Sequence, residues 1–169
     1  NFENVTLIGV VSADQSLYCG DYRSGERTFS LITQVIGRSG RGSKPGRAII
    51  QTFTPQNEII RLAAQQDYEG FFKTELSLRR LQDTPPFADI IAITASGTVE
   101  SAVIKCCTDI CTVVKASLRN RSDVRILGPA PLAVVRVNNR YRYGVNICCT
   151  ADRQIREIIS SVLIRCAKS

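Results

Sequence analysis

The chain contains no histidine, no methionine and no tryptophan. Without histidine, a zinc site would have to be built from cysteine, and the spacing of the seven cysteines does not provide one. None stands in a CxxC pair. Cys106, Cys107 and Cys111 share a helical pattern, Cys148 and Cys149 are neighbours in a strand-like run, and Cys19 and Cys166 stand alone. Adjacent strand residues point to opposite faces, so Cys148 and Cys149 do not converge on one ligand. We expect reduced, buried thiols and no metal site. No apolar run approaches the ~20 residues of a membrane span, and nothing at the start resembles a signal peptide. A Walker A loop is also missing: Gly37 and Gly42 have its first spacing, but Ser43 precedes Lys44. The chain starts at Asn1 instead of a methionine, and the expectation is a piece of a longer, soluble, intracellular protein.

What is present is positive charge, unevenly placed. The net charge is +7, and twelve of the 22 basic residues lie with five of the 15 acids between Thr98 and Ser169. A basic end of this kind predicts affinity for polyanions, nucleic acid first. An arginine-rich soluble surface reads equally well from charge alone.

The stretch Gln34 to Arg41, QVIGRSGR, sets a glutamine, two arginines and two glycines within eight residues. Arg38 and Arg41 are three apart, so a helical continuation would project them the same way. Paired guanidinium forks suit phosphate or carboxylate oxygens. Gly37 and Gly40 keep the backbone slim beside them. A basic loop with ordinary turn glycines is the plain alternative.

Around this stretch the pattern is that of half a parallel α/β domain. Val5 to Val11 and Ala48 to Phe53 read as strands buried on both faces. Asp14 follows the first of them, where open α/β sheets place ligands. Between them Gly25 to Ile36 reads as a helix with Phe29, Leu31, Ile32, Val35 and Ile36 on its apolar stripe. Thr54 and Pro55 look like the opening of the next helix. Tyr68, Phe71, Phe72, Leu76 and Arg79 continue at helical spacing as a packing cluster. The paired prolines in Leu81 to Phe87 mark a domain boundary. This divides the chain into 1–55, a helical connector 56–87, and 88–169.

The last part reads as a small α+β unit of ferredoxin-like order, β-α-β-β-α. Ile90 to Ala95 is a strand, and Ser96 to Thr98 caps a helix running to Leu118. Val124 to Leu127 and Leu132 to Val137 are short strands around Gly128-Pro129. Asn138-Asn139 is a hairpin turn into Arg140 to Cys149, and Ala151 to Ala167 is a final helix. In Arg140-Tyr141-Arg142-Tyr143 the period of two puts the arginines on one face. With the tyrosines inward, a ridge of Arg140 and Arg142, with Arg136 across the turn, is left outward. It serves as a nucleic-acid contact or as a solvated edge that discourages strand pairing.

The run from NVTLIGVVSAD through DYRSGERTF, TQVIGRSGRG, PGRAIIQTFTP, QQDYEGFF, ELSLRR, PPF and RILGPAP resembles the replication-restart helicases of the primosomal protein N-prime family. The resemblance covers nearly the whole chain. It implies a superfamily 2 DNA helicase that moves 3′ to 5′ using ATP with Mg²⁺, with QVIGRSGR as motif VI on the second RecA-like lobe. On that likeness Arg38 and Arg41 reach the terminal phosphates of the nucleotide across an interlobe cleft, one as an arginine finger. Gln34, Gly37, Gly40 and Asp14 would lie around the nucleotide. The likeness also implies forked or single-stranded DNA, single-stranded DNA-binding protein and primosome proteins as partners, in the bacterial cytoplasm. The family's Walker lobe and its zinc-binding cysteine insertion are not in this sequence, so the piece alone is expected to be inactive and to bind no cofactor.

Overall fold

The computed structural model describes residues 5–39 and 45–166. The chain divides at Leu81/Gln82 into two compact units. In the first, strands β1 (Leu7–Val10) and β2 (Arg47–Ile50) pair in parallel, with Gly9 opposite Ile49. A single helical turn, α1 (Asp14–Leu17), leads to α2 (Ser24–Ile36), and α3 (Glu58–Gln65) and α4 (Tyr68–Leu81) follow β2. The core of this unit joins Phe29 and Ile32 of α2 to Ile60 and Ala63 of α3 and Phe71 of α4, with Val10 and Ile50 packed against it. Phe29 and Phe71 stack with ring centroids 4.2 Å apart and planes 14° from parallel.

Several expectations change here. Both strands were expected to be covered on both faces, yet Leu7 is 60% exposed, Val11 75% and Phe53 87%. Alternate strand residues point to opposite faces, and within this unit α2 covers the face that carries Val10 and Ile50. Leu31, Tyr68 and Phe72 are likewise outside the core, more than half exposed or at half, so the apolar stripe and the aromatic cluster are narrower than the periodicity implies. Thr54 and Pro55 do not open α3. Asn57 is its N-cap, and its side-chain oxygen accepts from the amides of Ile59 (3.0 Å) and Ile60 (3.4 Å). The Thr54 hydroxyl is engaged with Asp14 instead. Asn57→Ala should therefore lower the stability of this unit by ~1 kcal/mol, read as a shift in the urea midpoint.

The second unit is a three-stranded antiparallel sheet in the order β3-β5-β4, with β3 (Asp89–Gly97), β4 (Arg125–Val137) and β5 (Arg140–Cys149). Helices α5 (Glu100–Ser117) and α6 (Arg153–Cys166) pack on one face through Cys107, Ile110, Val114, Ile155, Ile159 and Val162. They meet Ile93, Val145, Ile147 and Cys149 of the strands. Asn138 and Asn139 both have positive φ, 47° and 60°, as a tight hairpin turn with the strands' own twist requires.

The two short strands expected around Gly128-Pro129 are one strand, β4, with register shifts between Leu127 and Ala130 and between Pro131 and Arg136. Gly128 sits at φ 115°, and a Cβ there would meet the Gly144 carbonyl oxygen at 2.7 Å, so glycine lets the strand bend without leaving its partner. The cap of α5 also differs: Val99 occupies it without a side-chain bond, because β3 continues through Gly97, paired with Tyr141. Arg121 closes the far end of this unit. Its guanidinium bonds Asp123 (2.8 Å) and Asp152 (2.7 Å), and Asp152 also accepts from the Ile155 amide at the start of α6. The Arg121 hydrogen bond holds the Asp123 carboxyl down at about 2.

Candidate functional site

The α2 helix carries the arginine motif on its C-terminal end. Gln34 lies in the last turn and is exposed. The helix closes on Gly37, whose amide bonds the carbonyls of Thr33 and Val35, and tight turns follow as Arg38 and Ser39 donate to Val35 and Ile36. A methyl added at Gly37 would approach the Thr33 carbonyl oxygen at 3.3 Å. Arg38 is exposed, and its guanidinium has no hydrogen bond or ion pair among the described residues. Gly40 and Arg41, the other half of the motif, lie outside the described residues. A cation at this end of a helix also faces its partial negative charge, which favours it modestly.

Asp14 is buried, and its carboxylate is spent on the loop after β2. It accepts from the Thr52 hydroxyl (2.7 Å), the Phe53 amide (2.8 Å) and the Thr54 hydroxyl. These bonds, that of Thr54 first, hold its carboxyl down at about 2. A carboxyl depressed on folding contributes stability that is present above its unfolded value and lost on acidification. The urea midpoint of the chain should thus fall as the pH drops from about 4 to about 2. Asp14→Asn should lower the midpoint at neutral pH and make that acid decline shallower; an unchanged decline would remove Asp14 as its source.

The hairpin arginines divide differently from the expected ridge. Arg136 pairs with Tyr141 across the ladder and its guanidinium lies over that ring, 5.1 Å from the centroid. It therefore stands on the tyrosine side, because directly opposed residues share a face. On that side too, Tyr143 donates its hydroxyl to Glu100 at 2.8 Å. Arg140 and Arg142 belong to the opposite, helix-free face; Arg140 donates to the Ser96 carbonyl at 2.9 Å.

Sequence reasoning placed Arg79 in a packing cluster and missed its ion pairs. Its side chain is only 16% exposed, bonds Glu75 and Glu26 at 2.8 Å each, and lies 5.4 Å from the Tyr22 ring centroid. It thereby fastens α4 to the start of α2, the helix whose other end carries Arg38. The i,i+4 spacing of Glu75 and Arg79 was a signal for one of these bonds. The link to Glu26, 53 residues away, had none. Among the described residues no cluster of cysteine and acid side chains could hold a metal ion, and all seven cysteines are free thiols. No described helix is long and apolar enough to cross a membrane.

Fold and site together define a mixed α/β protein with an arginine, unpartnered among the described residues, at the end of a half-buried helix, and a basic, helix-backed antiparallel sheet. Residues 80–168 match the family model of the primosomal protein N C-terminal domain, over half of the chain, and the chain belongs to that family. It is similar to the replication restart protein PriA of Bacillus subtilis, 39% identical over 163 residues, 96% of this chain and 20% of that protein. PriA of Synechocystis is 42% identical over 139 residues, 82% of this chain and 16% of that protein. PriA of Chlamydia trachomatis is 34% identical over 163 residues, 95% of this chain and 22% of that protein. The chain thus spans about a fifth of the length of the curated relatives it matches.

Proposed function

We propose that this chain is the C-terminal portion of an ATP-dependent 3′–5′ DNA helicase that restarts stalled replication forks in the cytoplasm and assembles the primosome there. Its first unit is the back half of a RecA-like lobe, and its second is the C-terminal domain. The observation that carries this reading is the delivery of Gln34 and of Arg38, unpartnered among the described residues, to the exposed end of α2. Arg38 and Arg41 contact the terminal phosphates of ATP, whose Mg²⁺ and Walker residues come from the rest of the whole protein. Gln34 positions the nucleotide or couples it to DNA, and Gly37 and Gly40 allow close approach. Asp14 organises the neighbouring loop instead of touching the nucleotide, since its oxygens are already occupied.

The bare side of the parallel pair supports the same reading. Leu7, Val11, Ile49 and Phe53 are exposed, whereas parallel sheets are covered on both faces and two strands alone are marginal. Further strands and helices of the whole protein would cover them. Zinc belongs to a cysteine-rich region outside this sequence, and single-stranded DNA-binding protein and primosome proteins are the proposed protein partners. The test is DNA-stimulated ATP turnover of full-length protein altered at Arg38 or Arg41.

A second reading, favoured by the helix-free arginine face of the β3-β5-β4 sheet, is that the separate piece is a DNA-binding or protein-binding module without catalytic activity. In it Arg140 and Arg142 contact DNA from that face, while Arg136 reaches from the other side of the same hairpin, over Tyr141.

A further inference from the structure

We infer that the helix-free face of the β3-β5-β4 sheet holds single-stranded nucleic acid by its phosphates alone, without stacking any base. The inference rests on the second reading above and narrows it. Along β3 the residues Ala92, Thr94 and Ser96 alternate outward and are exposed, and Asn146 on β5 is exposed opposite Ala92. No helix lies on this face, whose β4 edge also carries the apolar Leu127, registered against Asn146, and Val137, registered against Arg140. It carries Arg140 and Arg142 near the hairpin and Arg125, registered against Cys148, at the other end.

The charges on this face are uncompensated. Arg140 and Arg125 donate to the neutral carbonyls of Ser96 and Gln82, and the Arg142 guanidinium has no hydrogen bond or ion pair among the described residues. The single carboxylate in the three strands, Asp89, alternates to the helix side and accepts from the Ala151 amide at 2.9 Å. Arg142 and Cys148, the partner of Arg125, are six positions apart along β5. At ~3.3 Å per residue the two cationic poles stand ~20 Å apart. Uncharged Thr94, Gly144 and Asn146 lie between them. An extended polyanion laid along the strand reaches both poles and meets no carboxylate on the way.

Base recognition requires something this face lacks. Modules that read or hold bases on a sheet use exposed aromatic rings. Both tyrosines of β5 lie on the other face, Tyr143 bonded to Glu100 and Tyr141 beneath Arg136. What remains is charge, small hydrogen-bonding groups and the aliphatic Leu127 and Val137, none of which stacks a base, and the charge brings backbone contact and steep salt dependence.

The experiment is fluorescence anisotropy with the 169-residue chain, using labelled dT15 and a labelled abasic strand of the same length at low salt. Affinities equal within about twofold are expected. Thr94→Asp combined with Asn146→Asp should weaken both strands more than tenfold, and Thr94→Lys should tighten them. Arg140→Ala and Arg142→Ala should each lower the salt slope by about one. A tenfold preference for dT15 over the abasic strand would overturn the inference while leaving the DNA-binding reading in place. So would carboxylate variants that bind like the parent. Failure to bind dT15 at all removes both.

Discussion

Replacing Arg41 with alanine in the full-length protein should reduce DNA-stimulated ATP turnover by ~10³-fold or more, because an arginine placed on the developing charge of phosphoryl transfer contributes ~10³ to 10⁵ in rate. DNA affinity should be spared. Arg38→Ala should act in the same direction. Its guanidinium stands exposed beyond the end of α2, bound to nothing among the described residues, so its removal leaves the surrounding structure intact. Lysine at either position keeps the charge but loses the planar fork that matches phosphate oxygens, and should restore only part of the rate. The measurement is steady-state ATP hydrolysis with and without DNA, beside DNA binding of the same preparations. Normal turnover in Arg41→Ala would sink the assignment of QVIGRSGR to the nucleotide.

The second large effect concerns the helix that holds this motif. Phe29→Ala should destabilise the first unit by ~4 kcal/mol, since truncating a buried phenylalanine costs ~3 to 5 kcal/mol and an aromatic stack adds ~0.5 to 1.5. Phe29 is 5% exposed and stacked on Phe71, so its loss opens the junction of α2 with α4. Small domains are stable by only ~5 to 15 kcal/mol, so a large part of that margin disappears. Hydrogen exchange should show amides of α2, α3 and α4 losing protection while β3, β5 and α5 keep theirs. The second unit has its own core around Val145, Ile147 and Cys107. Equal loss of protection in both units would contradict two separate cores.

Much of this architecture is legible as periodicity. The α2 and α5 helices, the Asn138-Asn139 turn and the alternation of β5 all follow from local rules, because a helix buries every third or fourth residue and a strand every second. Two of the misses come from partners distant in the chain, and one from the register of a hairpin. Thr54 looks like a helix cap until Asp14, forty residues earlier, takes its hydroxyl. Arg136 looks like a member of the outward ridge until the register of the Asn138-Asn139 hairpin is followed, which sets Val137 against Arg140 and Arg136 against Tyr141. Arg79 looks like an ordinary helix arginine, and becomes the clamp between α4 and α2 only once Glu26 and Tyr22 are beside it.

The sequence by itself therefore determined the element order, the motif at the end of α2, the absence of any histidine or CxxC metal site, and the resemblance that leads to the family. Each rests on residue identity or on spacing within a few turns. Tertiary structure alone decided which carboxylates are already spoken for and how far the strands are covered. Those properties depend on register and on contacts across many residues. A shift of one residue in a strand exchanges its two faces, and no local pattern records a bond made 40 or 53 positions away.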